Sequence, residues 1–324
     1  MKKSIYLTTE GIVKRYGNTI YFENKEIKRA LPIENILEIH CLAYVTFTSE
    51  SSFYLMKLGI PVHFFSKYGF YMGSLYPREQ LNSGLVIVKQ VEHYLDNEKR
   101  LYIAEEMVKG IKQNILKNLK YYKKMGKDVK DFIENIEKVD INGKNILEIM
   151  NREAQIWSYY YKSFNYFIYG YEMKKRTYHP PEDELNALIS FGNSLLYAST
   201  LSEIYNTYLH PSISYLHEPS ERRFSLALDI ADIFKPLIVD RIIFTLINNK
   251  IIKKDDFDKD TNYYLKDNAK KKFIELYDEK LETTVMHKQL KRKVSYRRLI
   301  RLEAYKIIKH ILGDEVYKSF RMWW

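Results

Sequence analysis

Apolar residues follow two different rhythms along these 324 residues. Up to about residue 76 they come in short runs rich in Ile, Tyr, Val, Thr and Phe, broken by turn residues, which is the pattern of short strands. Ile12 to Tyr16, the Gly17-Asn18 pair and Thr19 to Glu23 read as a hairpin. Ser4 to Thr8, Glu26 to Ala30, Ile36 to His40, Val62 to Phe65 and Phe70 to Leu75 read as further strands of a small sandwich or barrel. One helix is expected among them, from Ser49 to Leu58, with Ser49 as its cap, Glu50 in its first turn and Gly59 at the left-handed position that ends it. Past Tyr76-Pro77 the apolar residues recur at intervals of three and four, which predicts eight or more helices. Pro180-Pro181 and Pro211 break this part, and Glu182-Asp183-Glu184 form the acidic first turn of a helix running to about Tyr208. The expected fold is α+β and multidomain: a small N-terminal β-sandwich-like domain over residues 1–80, then a larger all-α domain over residues 81–324.

Composition adds a partner class. With 46% hydrophobic and 29% charged residues, 12 Gly and 8 Pro, the chain is neither collagenous nor of low complexity nor wholly disordered. Its 52 Lys and Arg outnumber 41 Asp and Glu, and it carries 29 Tyr, a basic and aromatic balance suited to a polyanion such as nucleic acid. Residues 286–324 hold 11 of the Lys and Arg against three Asp and Glu, interleaved with Tyr296, Tyr305 and Tyr317. Charge alone nominates Arg176, Arg222, Arg223, Lys288, Lys291, Arg292, Arg297 and Arg298 as nucleic-acid contacts, with a solvated helix face as the plain alternative for the terminal run. The single cysteine, Cys41, forms no internal disulfide, and the opening Met1-Lys2-Lys3 leads into no apolar stretch. The longest apolar runs, Pro236 to Val239 and Ile242 to Ile247, are separated by Asp240-Arg241 and fall far short of the ~20 residues of a membrane span. A cytoplasmic protein without a membrane segment is expected.

Candidate chemistry is confined to the helical part. The sequence has no Walker loop, dinucleotide fingerprint, CxxC pair, HExxH helix or GxSxG elbow. What remains is Glu153, His217, Asp229 and Asp232. The two aspartates lie three apart in the otherwise apolar segment Phe224 to Phe234, so on a helix they share a face. Like charges on a partly buried face need a cation, an Arg or Lys such as Arg241 or Lys235, or a shared proton. His217, just ahead of that segment, is either aimed at the pair or a hydrogen-bonded loop histidine. Glu153 falls in a helix beginning near Asn145, where an acidic residue is also an ordinary early-helix choice.

The order and surroundings of these residues resemble the CRISPR-associated spacer-acquisition integrase, the metal-dependent nuclease of CRISPR adaptation. The likeness runs from Ile5-Tyr6-Leu7 and Gly17-Asn18-Thr19 through Gly59-Ile60-Pro61-Val62-His63-Phe64-Phe65 to Arg176, Pro180-Pro181, Asn186-Ala187-Leu188 and Leu196-Tyr197. It continues through Leu216-His217, Ser225 to Asp232, Lys235-Pro236, Asp240-Arg241, Tyr296-Arg297 and Glu303-Ala304-Tyr305. Asn193 stands where that family often has an aromatic, and Lys235 where it often has Arg.

The resemblance implies that Glu153, His217 and Asp232 bind a catalytic Mn²⁺ or Mg²⁺, with Asp229 as a further acidic group at its edge. A carboxylate-rich set with one imidazole suits such hard ions. It also implies that Tyr197 lies close to a DNA strand junction, that the N-terminal β domain forms much of a homodimer interface, and that a small second adaptation protein bridges two dimers. The implied reaction joins 3′-hydroxyl ends of short foreign DNA fragments to the CRISPR repeat by strand transfer. A non-catalytic nucleic-acid-binding scaffold, or a branched-DNA nuclease that does not integrate, would share the same basic surface.

Overall fold

A computed structural model describes residues 2–77, 81–178, 180–219 and 224–323. The chain divides into two compact units, residues 1–80 and 81–324.

The N-terminal unit is built from two four-stranded sheets. Its strands are β1 (Lys3–Leu7), β2 (Gly11–Tyr16), β3 (Thr19–Glu23), β4 (Lys28–Leu31), β5 (Ile36–Cys41), β6 (Val45–Phe47), β7 (Val62–Phe65) and β8 (Tyr71–Leu75). One sheet has the order β1-β5-β7-β8, the other β4-β3-β2-β6. The expected hairpin is present with Tyr16 opposite Thr19, and Gly17 takes the positive φ that this two-residue turn requires. Strand β6, only three residues long, pairs parallel with β2 and carries too few residues to show a period. Val13, Ile20, Phe22, Ile36, Ile39, Leu55 and Val62 form the core. Helix α1 (Ser49–Lys57) is capped by Thr48, whose side chain accepts from the Ser51 N–H. Ser49 is therefore the first helical residue rather than the cap.

The other face of the first sheet buries a polar row. Tyr6, His40, His63 and Ser74 are successive neighbours across its strands. The Tyr6 and His40 rings stack at 4.9 Å, and His63 lies 5.0 Å from His40. Glu38, two residues before His40 and so on the same face, accepts from Ser4 Oγ at 2.8 Å. Its carboxylate lies 3.1 Å from His40 Nε2 and 3.5 Å from His63 Nε2.

The C-terminal unit is mostly helical: α2 (Gly84–Leu95), α3 (Asn97–Lys124), α4 (Lys130–Lys138), α5 (Ile146–Ser163), α6 (Glu184–Tyr205), α7 (Ser225–Phe234), α8 (Val239–Asn248), α9 (Asp267–Glu282) and α10 (Tyr296–Leu312). It also contains two small hairpins, β9 (Phe257–Asp258) with β10 (Tyr264–Leu265), and β11 (Thr284–His287) with β12 (Arg292–Ser295). The expectation of a wholly α domain missed both, because strands of two to four residues leave no readable alternation. Helix α6 is the axis of the unit. It is buried on nearly every side and so reads as mostly apolar. Gly192 lets it run close to its neighbours, since a Cβ there would stand 2.5 Å from Val239 and 2.6 Å from Phe273. No described helix is long and apolar enough to cross a membrane.

Candidate metal centre

Three helices and one loop bring the candidate residues together. Helix α5 starts at the Asn145 cap, which accepts from the Glu148 N–H, and presents Glu153 two turns further on. Asn118 of α3 holds α5 and the turn after α7 in register. Its amide donates to the Tyr160 hydroxyl at 2.9 Å and to the Pro236 carbonyl at 2.6 Å, while its oxygen accepts from Arg241 Nε at 2.8 Å. Helix α7 carries Asp229 and Asp232, and the loop before it carries His217.

The two aspartates have separate tasks despite their common helix. Asp229, fully buried, accepts the backbone N–H groups of Tyr215 at 2.8 Å, Leu216 at 3.0 Å and His217 at 3.0 Å. It also lies 2.8 Å from His217 Nδ1. Its oxygens are thus occupied in fixing the loop and the imidazole, leaving Nε2 as the free ring nitrogen. Asp232 forms an ion pair with Lys235, yet its Oδ1 is buried without a hydrogen bond of good geometry. Arg241, the other compensating cation expected from the sequence, turns instead to Asn118 and to the Met322 sulfur.

Glu153, His217 and Asp232 line one cavity of about 440 Å³, together with Trp157, Tyr161, Asn193 and the cations Lys162, Lys174, Lys175, Arg176 and Lys235. Burial, reinforced by the Asp232 charge, raises the Glu153 carboxyl to about 7. Burial lowers the His217 pKa, but the Asp229 hydrogen bond and charge, with Asp232 and Glu153, outweigh it and raise the group to about 9. The carboxylates around His217 therefore crowd one another, and a cation among them relieves that repulsion. Lys235 partly answers it, and the Trp157 indole N–H donates to Glu153 Oε1. Among the described residues no three His, Cys, Asp or Glu side chains already stand around a common ion position. The donor set nonetheless fits a hard divalent ion in kind: two carboxylates, one imidazole held by its other nitrogen, and an acceptor oxygen without a hydrogen bond.

The other candidates are scattered. Arg176 lines the cavity and is braced by Asn186 Oδ1 at 2.8 Å and Ser190 Oγ at 3.0 Å. Tyr197 is not among the lining residues, and its hydroxyl accepts from the Phe224 N–H at 2.9 Å. Arg222 and Arg223 lie outside the described residues. Lys288 lines a separate cavity of about 600 Å³ with Trp323, Lys306 and Lys318. Lys291 and Arg292 are exposed on the β11–β12 hairpin. Arg297 is buried against Glu203 at 3.8 Å and Glu282 at 3.3 Å, so its charge is used inside the fold. Arg298 is partly buried, 6.0 Å from the Tyr305 ring. Sequence reasoning passed over Lys174 and Lys175, although they adjoin Arg176, and over Trp157 and Tyr161, one and two helical turns after Glu153.

This architecture, a strand-rich unit followed by a mostly helical unit, is that of solved Cas1 proteins. A Cas1 protein from Thermotoga maritima superposes with a TM-score of 0.87 at 38% identity, covering 98% of this chain and 100% of that one. A chain of a Cas6-RT-Cas1–Cas2 complex shares the fold at 19% identity and a TM-score of 0.84, over 100% of this chain and 36% of that one. The family described as CRISPR associated protein Cas1 matches residues 5–279. A relative from Thermodesulfovibrio yellowstonii called CRISPR-associated endonuclease Cas1 3 is 48% identical over 99% of this chain and 100% of its own. The chain belongs to the Cas1 family.

Proposed function

We propose that this chain is a divalent-metal-dependent DNA endonuclease and integrase of CRISPR adaptation, joining 3′-hydroxyl ends of short foreign DNA fragments to the CRISPR repeat. The observation that carries the reading is the convergence of Glu153, His217 and Asp232 on one cavity rimmed by Lys162, Lys174, Lys175 and Arg176. The 48% identical relative named as an endonuclease supports it.

Glu153 and Asp232 would hold Mn²⁺ or Mg²⁺ with His217 Nε2, and the ion would polarise the phosphate and stabilise charge on the attacking and leaving oxygens. No protein nucleophile is needed. Asp229 keeps the imidazole in one orientation, with its proton at Nδ1, so that Nε2 faces the site. The rim cations bind the strands by their phosphates and set them in line, a contribution of positioning and electrostatics. Arg176 enters that task already ordered by Asn186 and Ser190. Lys235 balances Asp232 until substrate and ion arrive.

The assembly implied is a homodimer joined by the small second adaptation protein. Exposed Tyr44, Phe53 and Met72 of the N-terminal unit support a self-association surface there, and the Cas2-containing complex that shares this fold supports the second partner.

The test supplies the purified protein and its small partner with a fluorescent 3′-hydroxyl DNA fragment and a supercoiled CRISPR plasmid in Mn²⁺ or Mg²⁺. Strand-transfer product from the wild type but not from His217→Ala is expected. Equal product from both removes His217 from the reaction, and DNA binding without product from either favours the scaffold reading.

A further inference from the structure

Asn193 of helix α6 lines the cavity that the other ligand candidates share, and it ends a short polar row on that helix. Asn186, Ser190 and Asn193 recur at the spacing of one helix face. The first two have their oxygens engaged: Asn186 Oδ1 accepts from Arg176 and from the Thr177 N–H, and Ser190 Oγ accepts from Arg176. Asn193 is different. Its side chain lines the cavity, while its Oδ1 is shut off from water and has no hydrogen-bond partner. A buried amide oxygen left without a donor is uncommon in a folded protein and costs stability, so it marks a position where a partner belongs. Asp232 Oδ1, in the same lining, has the Lys235 ion pair but no hydrogen bond of good geometry. An amide oxygen without a donor, in one lining with the carboxylates of Glu153 and Asp232 and the His217 imidazole, completes in kind the donor set of a hard divalent cation, which takes amide carbonyls as well as carboxylates.

We propose that Asn193 is an additional, neutral oxygen ligand of the divalent ion held by Glu153, His217 and Asp232. The inference rests on the metal-dependent reading and adds to it a residue of this chain's own. A neutral ligand completes the coordination without adding a further negative charge to a site where two carboxylates already repel. By contrast, a side chain serving only to pack α6 would leave its oxygen turned to a donor within the protein.

The test is Mn²⁺ binding to the full-length, metal-stripped protein without DNA, by calorimetry and by the loss of the free-ion electron paramagnetic resonance signal. Asn193→Ala is expected to weaken Mn²⁺ about tenfold, and Asn193→Asp to tighten it. Ser190→Ala, one turn away on the same face, is expected to leave affinity within about twofold, because its oxygen already serves Arg176. Thermal melts of the metal-free variants check that each is folded. An Asn193→Ala protein that binds Mn²⁺ like the wild type, while Asp232→Asn does not, overturns the Asn193 ligand and leaves the three-residue site standing. Wild-type binding that Asp232→Asn does not weaken overturns both.

Discussion

The chain sets a glutamate beside histidine in each of its two units, and only one of these clusters has the properties of a reaction site. In the N-terminal unit one carboxylate, Glu38, faces two imidazoles, and all three side chains are 0% exposed. Rings stack along the row, and Ser4 supplies a further donor. In the helical unit the proportions are reversed. Three carboxylates surround one imidazole and one lysine, the His217 side chain is 21% exposed, and the cluster opens on a cavity. Buried polarity as such is thus uninformative. What distinguishes a site is an imbalance of charge left facing space that another molecule can enter.

Neutral substitution breaks the comparison most sharply, because the two glutamates should respond in opposite ways. Glu153→Gln removes a proposed ion ligand and is expected to lower strand transfer on the order of a thousandfold, several kcal/mol of lost charge stabilisation. The same change relieves the repulsion from Asp232, so the metal-free protein should melt at a higher temperature at pH 8. Glu38→Ala leaves two buried histidines without their carboxylate and is expected to cost about 3 kcal/mol in urea unfolding, with strand transfer per folded molecule unchanged. Loss of stability in both proteins, or loss of activity in both, would erase the distinction drawn between the clusters.

Asp229 sharpens it at the next scale. Asp229→Asn puts an amide N–H against backbone N–H donors and withdraws the charge beside His217, so a 10–100-fold loss of strand transfer is expected from a residue that need not touch the ion. The pH dependence has a definite sign. Glu153 at about 7 and His217 at about 9 both lie above their ordinary values of 4.5 and 6.5. Their contributions to stability are therefore full below those ordinary values, and are lost as pH rises through about 7 and then about 9. Metal-free wild type should melt progressively lower from about pH 5 to pH 9, and Asp229→Asn should lose the upper part of that decline. Mn²⁺ affinity should climb over the same upper range, since the ion competes with the imidazole proton. A flat melting profile would contradict the charge crowding on which the comparison rests.

Much of this was readable before any coordinates. Strands and helices bury side chains with periods of two and 3.6, so the change of texture past Tyr76-Pro77 and the α+β class were visible, as were the β2–β3 hairpin and the starts of α5 and α6. Other features leave no such trace. Strand β6 and the two C-terminal hairpins are too short to show a period. That Asp229 and Asp232 share a helix was legible, but their division of labour was not, because it depends on a loop 12 to 14 residues earlier folding its N–H groups onto one carboxylate. The open amide of Asn193 was visible only as a departure from an aromatic, since the engagement of Asn186 and Ser190 by Arg176 is a matter of three dimensions.

The smallest expected effect lies in the quiet unit, at a place where two adjacent hydroxyls compete for one role. Thr48 and Ser49 are both good capping residues, so the sequence leaves the start of α1 ambiguous by one position. The structure separates them. Thr48 has extended backbone angles and accepts from the Ser51 N–H at 3.3 Å, and its hydroxyl lies 3.1 Å from Ser51 Oγ. Ser51 Oγ in turn donates to the Val13 carbonyl at 2.9 Å, which ties the helix start to strand β2. Ser49 is already helical and has no such task. Thr48→Ala should therefore cost about 1 kcal/mol in urea unfolding, and Ser49→Ala no more than about 0.5 kcal/mol in either direction, since serine to alanine inside a helix is slightly favourable. Neither should alter strand transfer, because neither belongs to the charge-crowded cavity. The reverse order, with Ser49→Ala the costlier change, would mean that α1 begins one residue later in solution, with Ser49 as its cap.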